Sequence, residues 1–191
     1  MNAKTTLRRP SDGPGAHPEL GPVLEASRGR HLTDEELALL RSTLPAHAAR
    51  AEAARAIREA EPAVVAEVVR QVLSEFAFDE AHEYSPAKCT RDVSSVSAYA
   101  TLAMVLDDAR WLDDRLLLWL RTILHAFCFP ARRQRRRTVF GGGGSDEPHE
   151  AIRVTYEGLA RRMEAAIGPE HWALAGPFYE QVVRELTRED S

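Results

Sequence analysis

The sequence predicts an all-α domain. Apolar residues return every three or four positions along most of the chain, and the segment joints carry helix punctuation: a Thr cap, prolines at first-turn positions, one glycine stop. No stretch alternates apolar and polar residues between turn signals in the way a strand, turn and strand would. At 191 residues, with 44% hydrophobic and 28% charged content, the chain suits one domain able to bury a real core.

Residues 1–17 are rich in Pro, Gly and polar groups without a period and read as a flexible leader, leaving 18–191 as the domain. A short candidate helix, PELGPVLEASR, is interrupted by Pro22. Thr33 then caps a clear start, because Glu36 stands three residues later as its capping-box partner. Leu37, Leu40, Leu44, Ala48, Ala54 and Ile57 keep helical spacing, and Pro45 should kink or divide the segment. Pro62 is expected to begin the next helix, with Val64, Val65, Val68, Val69, Val72, Leu73 and Phe76 as its apolar stripe.

Ser85 and Pro86 read as N-cap and first residue of another helix, running through Val93, Val96, Ala100, Ala103 and Met104. DDARWLDD is a polar break, its aspartates suited to capping. The run LDDRLLLWLRTILHAF comes next, apolar nearly all round, which predicts a central buried helix ended by Pro130. An aperiodic Arg/Gly-rich insert occupies about 131–148. Two last helices read from about His149 to Ile167 and from Pro169 to Thr187, separated by Gly168 as a C-terminal cap.

Bulk composition excludes several classes. A net charge of -4 rules out a wholly basic nucleic-acid or membrane-surface protein, so any basic signal is regional. Two cysteines without a CxxC argue against a disulfide scaffold or structural zinc and suit a reducing cytoplasm. No transmembrane segment is expected, since no apolar run approaches the roughly 20 residues that cross a bilayer. The scattered histidines form no HExxH, and the four glycines after the insert's arginines lack the GKS or GKT of a phosphate loop.

Cys89 admits two readings. It lies four residues after the expected cap, where free N–H groups, the positive helix end and Lys88 would lower its thiol pKa and make it a nucleophile. Alternatively it is a buried thiol acting as a small apolar side chain beside a surface ion pair. Asp92 shares its helix face, whereas Arg91 points about 200° away. Thiol, carboxylate and arginine together match the chemical handles of a linear tetrapyrrole. Cys128, between Phe127 and Phe129, reads as core. His125 would supply the axial ligand if a haem were bound non-covalently. The insert's RRQRRR, five arginines in six positions, would attract phosphates or an acidic partner.

The run from Lys88 to Pro130, KCTRDVSSVSAYATLAMVLDDARWLDDRLLLWLRTILHAFCFP, resembles the central region of phycobiliproteins, allophycocyanin subunits above all. The shared frame is C-x-R-D, then Y-A-T-x-A-M, then L-D-acid-R-x-L-x-x-L, closing on proline. HLTDEELALLRSTLPAHAARAEAARAI and FYEQVV are similar to the family's opening and last helices. The resemblance implies a globin-like helical bundle with an N-terminal two-helix extension. It further implies a pigment carrier, not an enzyme, with a bilin of phycocyanobilin or biliverdin type thioether-linked at Cys89. Asp92 would accept from the pyrrole nitrogens, Arg91 would pair with a propionate, and Lys88 matches the preceding basic residue. Homo- or hetero-oligomers through the N-terminal helices are expected on the same ground. Where the family places two aromatics and an arginine, this chain has Ser95, Val96 and Ala98, which predicts a roomier, less aromatic pocket. That change, with the arginine-rich insert, sets up the rival expectation of a pigment-free interaction or regulatory module.

Overall fold

The computed structural model describes residues 20–76, 86–128 and 147–188, and among them there is no strand. These residues form seven α-helices: α1 (Gly21–Ala26), α2 (Asp34–Thr43), α3 (Ala48–Glu75), α4 (Pro86–Leu106), α5 (Ala109–Leu112), α6 (Leu118–Cys128) and α7 (Glu147–Thr187). A 3-10 turn, Pro45–His47, joins α2 to α3, and a π-helical turn, Asp113–Leu117, joins α5 to α6. The leader, the Ser85 cap, residues 131–146 of the insert and the side chains of His125 and Cys128 lie outside the described residues, and the insert's expected end at 147–148 is already part of α7.

The predicted punctuation forms at α2. Thr33 accepts from the Glu36 amide, and Glu36 accepts at 2.8 Å from the Thr33 amide, which closes the capping box. Pro45 divides α2 from α3 as expected. Two other prolines behave differently. Pro22 stands in the first turn of α1, where a missing N–H costs nothing, so it opens that helix instead of interrupting it. Pro62 does not begin a helix either, because α3 runs 28 residues straight through it. The pyrrolidine lies on the exposed face. Water can serve the Arg58 carbonyl it strands, while Ile57, Val64, Val65 and Val68 hold both halves of α3 in the core.

α3 packs along α7 and α4, and α4 packs on α7, so these three helices enclose the core. Ala53, Ile57, Ala100, Ala103, Met104, Val105, Leu112 and Met163 have no exposed surface. α7 breaks at Gly168, where φ is 76° and ψ 170°, so its two arms match the two predicted helices. Only glycine takes that positive φ without strain. No described helix is long and apolar enough to cross a membrane.

The end of α4 is capped by its neighbours. Asp107 adopts φ 55°, its amide bonds Met104 O at 3.1 Å, and the Asp108 amide bonds Ala103 O at 3.0 Å, which is a Schellman closure. Buried His47 donates to Val105 O at 2.8 Å, and Arg50 donates to Met104 O at 2.8 Å and to Asp107 at 2.7 Å. Asp108 then caps the Trp111 amide at 3.1 Å, as its position in the polar break predicts.

The expected central buried helix is corrected. Leu116 and Leu117 are buried, but Leu118 and Trp119 are 63% and 62% exposed. The π turn inserts an extra residue per turn and rotates the start of α6, so a continuous apolar run cannot keep every residue inward. Gln181 of α7 holds this turn in place through Ala109 O at 3.0 Å and Asp113 at 2.7 Å.

Candidate functional site at the start of α4

The first turns of α4 carry Lys88, Cys89, Arg91 and Asp92. Cys89 is half-buried against the core, and Arg91 and Asp92 are exposed. Arg91 turns back on its neighbour, its guanidinium 3.3 Å from Asp92 Oδ1, so the two charges satisfy each other. The activated-thiol expectation is overturned. Burial pushes the Cys89 thiol above its ordinary range, and the Asp92 carboxylate on the same face adds to the rise. The helix amide and Lys88 act in the other direction and lose. Cys89 is therefore an accessible thiol held in its protonated form at neutral pH.

Further along that face stands Tyr99, seven residues after Asp92 and ten after Cys89, spacings that return to one side of a helix. Its ring packs on Trp111 of α5, centroids 5.7 Å apart and tilted 30°. Between these aromatics and Asp92 lies Ser95. The predicted roominess here is also corrected, because the turn joining α1 and α2 occupies the space. A Cβ at Gly29 would come within 3.1 Å of Ser95 Oγ and 3.7 Å of Tyr99 Cε2, and Gly29 has φ 76°. The small serine admits the turn, and only glycine fits the turn on both counts. Val96 and Ala98 are buried. A concavity of about 540 Å³ lies beside another face of α4, lined by Val69, Arg70 and Leu73 of α3 with Pro86 and Thr90.

Deeper in the same region is a polar junction that sequence reasoning missed. Ser97 Oγ and the Tyr179 hydroxyl share a hydrogen bond at 2.8 Å, and Thr101 donates to Ser97 O at 2.8 Å. Tyr179 is fully buried, and burial pushes its pKa up to about 12. Glu61 of α3 and His31 of the turn before α2 complete the group, 3.9 Å apart. The available signal was polarity at inward helical positions: Ser97 falls between Val93 and Ala100, and Glu61 between Ile57 and Val64. Among the described residues no three His, Cys, Asp or Glu side chains gather in a way that would hold a metal.

The placement of Cys89, Arg91 and Asp92 on one helical turn with an aromatic pair beyond them can be set against known proteins. No curated protein and no solved structure matches the chain. One family does: the model of the phycobilisome protein family matches residues 25–136, which run from α1 past α6. That span covers more than half of the 191 residues and every part of the α4 site, and it agrees with the all-α, globin-like bundle. The chain belongs to the phycobilisome protein family.

Proposed function

We propose that this protein is a cytoplasmic pigment carrier that binds a linear tetrapyrrole of phycocyanobilin or biliverdin type, thioether-linked at Cys89, in a light-harvesting or light-responsive role. The observation that carries the reading is the α4 face itself: an accessible thiol, a carboxylate one turn on and the stacked Tyr99 and Trp111 beyond. The donor set suits such a group. Asp92 is an anionic acceptor for pyrrole N–H, and Arg91, released from Asp92, is a planar donor for a propionate. Lys88 adds positive charge beside the thiol. The bound pigment supplies visible absorption. Tyr99 and Trp111 add an aromatic edge beside the Gly29 turn, and family membership supports assembly into homo- or hetero-oligomers through the N-terminal helices.

Production together with a haem oxygenase and a bilin reductase tests this reading. The expected result is a coloured protein whose denatured band shows zinc-enhanced fluorescence, lost in Cys89→Ala. A colourless product with both biliverdin and reduced bilins supplied overturns it.

Two observations favour a second reading, a pigment-free interaction module. Arg91 and Asp92 already neutralise each other, and Trp119 with Leu118 presents an apolar surface to solvent. On this reading the acidic partner would engage the arginines of residues 132–137. Unchanged partners in a pull-down after replacement of those arginines would exclude it. The non-covalent haem reading rests on His125 alone, and a Soret band lost in His125→Ala would be its mark.

A further inference from the structure

The arm formed by residues 20–44 docks on the core with Leu20, Leu32, Leu37, Leu40 and Leu44 buried. α1 itself buries no residue, and the hold comes from the buried flanking residues Leu20 and Ser27, from Gly29 on Ser95, and from His31, Leu32 and α2. At the centre of this interface His31 and Glu61 lie with side chains 11% and 10% exposed. Both ring nitrogens of His31 and Oε1 of Glu61 have no hydrogen-bond partner. Their 3.9 Å separation is too long for a hydrogen bond between them. Unpartnered buried polar atoms are costly, so an interface that retains three of them is poised to change.

We propose that His31 is an acid-sensitive latch: the neutral ring lets the arm dock beside Glu61, and a proton on the ring releases the arm from the core. Burial of the ring, which opposes its charged form, sets the direction, and the charges around it act second. Arg58 of α3 is fixed to Leu32 O at 2.8 Å and Asp34 at 2.5 Å, so a cation already stands in reach of the imidazole. From α2, Asp34 is engaged by Arg58, and Glu36 is engaged by Arg30 at 2.7 Å. From α7, Tyr179 stays neutral, and α4 contributes the hydroxyls of Ser97 and Thr101. Among the described residues Glu61 is the carboxylate beside the ring, outside hydrogen-bond distance.

Burial, then Arg58, lowers the His31 pKa to about 4 from its ordinary 6.5, which accords with a ring kept neutral while docked. A released ring takes its proton first as pH falls. Docking is therefore at full strength above about pH 6.5 and weakens down to about pH 4. Release uncovers Ser95 and Tyr99, the end of the α4 face that the Gly29 turn covers.

Hydrogen exchange on the full chain, corrected for the intrinsic pH dependence of exchange, tests the latch between pH 7.5 and 4.5. Opening of peptides from 20–44 should rise on the order of 100-fold relative to peptides from 172–186. An NMR titration of the His31 ring should give a midpoint well below 6.5. His31→Gln should flatten the pH dependence, and Glu61→Gln should keep it. A midpoint at or above 6.5, tighter docking in acid, equal opening of both segments, or a dependence that follows Glu61 instead of His31 each overturns the proposal. The wild-type titration decides the matter even if His31→Gln fails to fold.

Discussion

The two ends of α4 are built to opposite specifications. At its C-terminal end Ala103, Met104 and Val105 are without exposed surface, and the last carbonyls are taken up by Asp107, Asp108, His47 and Arg50. Its N-terminal end carries the reactive types Cys89, Arg91 and Asp92, with Arg91 72% and Asp92 50% exposed. One end fixes the helix in the bundle and the other presents chemistry. A single helix can separate the tasks because its core face changes from one-sided to nearly all-round along its length: Val93 and Val96 are buried, then every residue from Ala100 to Leu106.

Substitutions that attack the buried end should have the largest effects. Met104→Ala removes a fully buried side chain and should cost about 2–5 kcal/mol of unfolding free energy in a denaturant titration. A loss under about 1 kcal/mol would mean that this end of α4 is not the anchor described. Arg50→Ala removes one hydrogen bond to Met104 O and the ion pair with Asp107, and should cost about 1–3 kcal/mol by the same measurement. Tyr179→Phe leaves Ser97 Oγ without its buried partner, for an expected loss of about 1–2 kcal/mol.

The exposed end should answer in chemistry instead of stability. Asp92→Ala is expected to change unfolding free energy by no more than about 0.5 kcal/mol, since the Arg91 pair is solvent-exposed. It should nevertheless speed alkylation of Cys89, because removal of the carboxylate lowers a thiol pKa that burial and Asp92 hold up. In the unmodified chain, iodoacetamide at neutral pH should react with Cys89 more slowly than with a free cysteine peptide. A faster reaction would show that the helix end and Lys88 outweigh burial after all.

Missed features share a physical cause. Local propensity places a proline at a helix start, yet α3 passes through Pro62 because core contacts on both sides outweigh one lost hydrogen bond on a wet face. A run such as LLLWL reads as buried on composition alone. Whether all of it is covered depends on how many neighbours surround the helix and on the π turn that re-aims it, and Leu118 and Trp119 were left outside. The thiol obeyed the same logic: position in the helix predicted a lowered pKa, whereas the wall it packs against reversed the sign.

The sequence by itself determined the helical class, the caps at Thr33 and Asp108, the break at Gly168 and the grouping of Cys89, Arg91 and Asp92, because each depends on spacing within one segment. Only the tertiary structure decided which faces meet. It brought Gly29 onto Ser95, Tyr99 onto Trp111, and His31, Glu61, Ser97 and Tyr179 into one buried junction drawn from residues far apart in the chain. Burial and charge at such a junction are properties of the packed whole, and no single helix carries them.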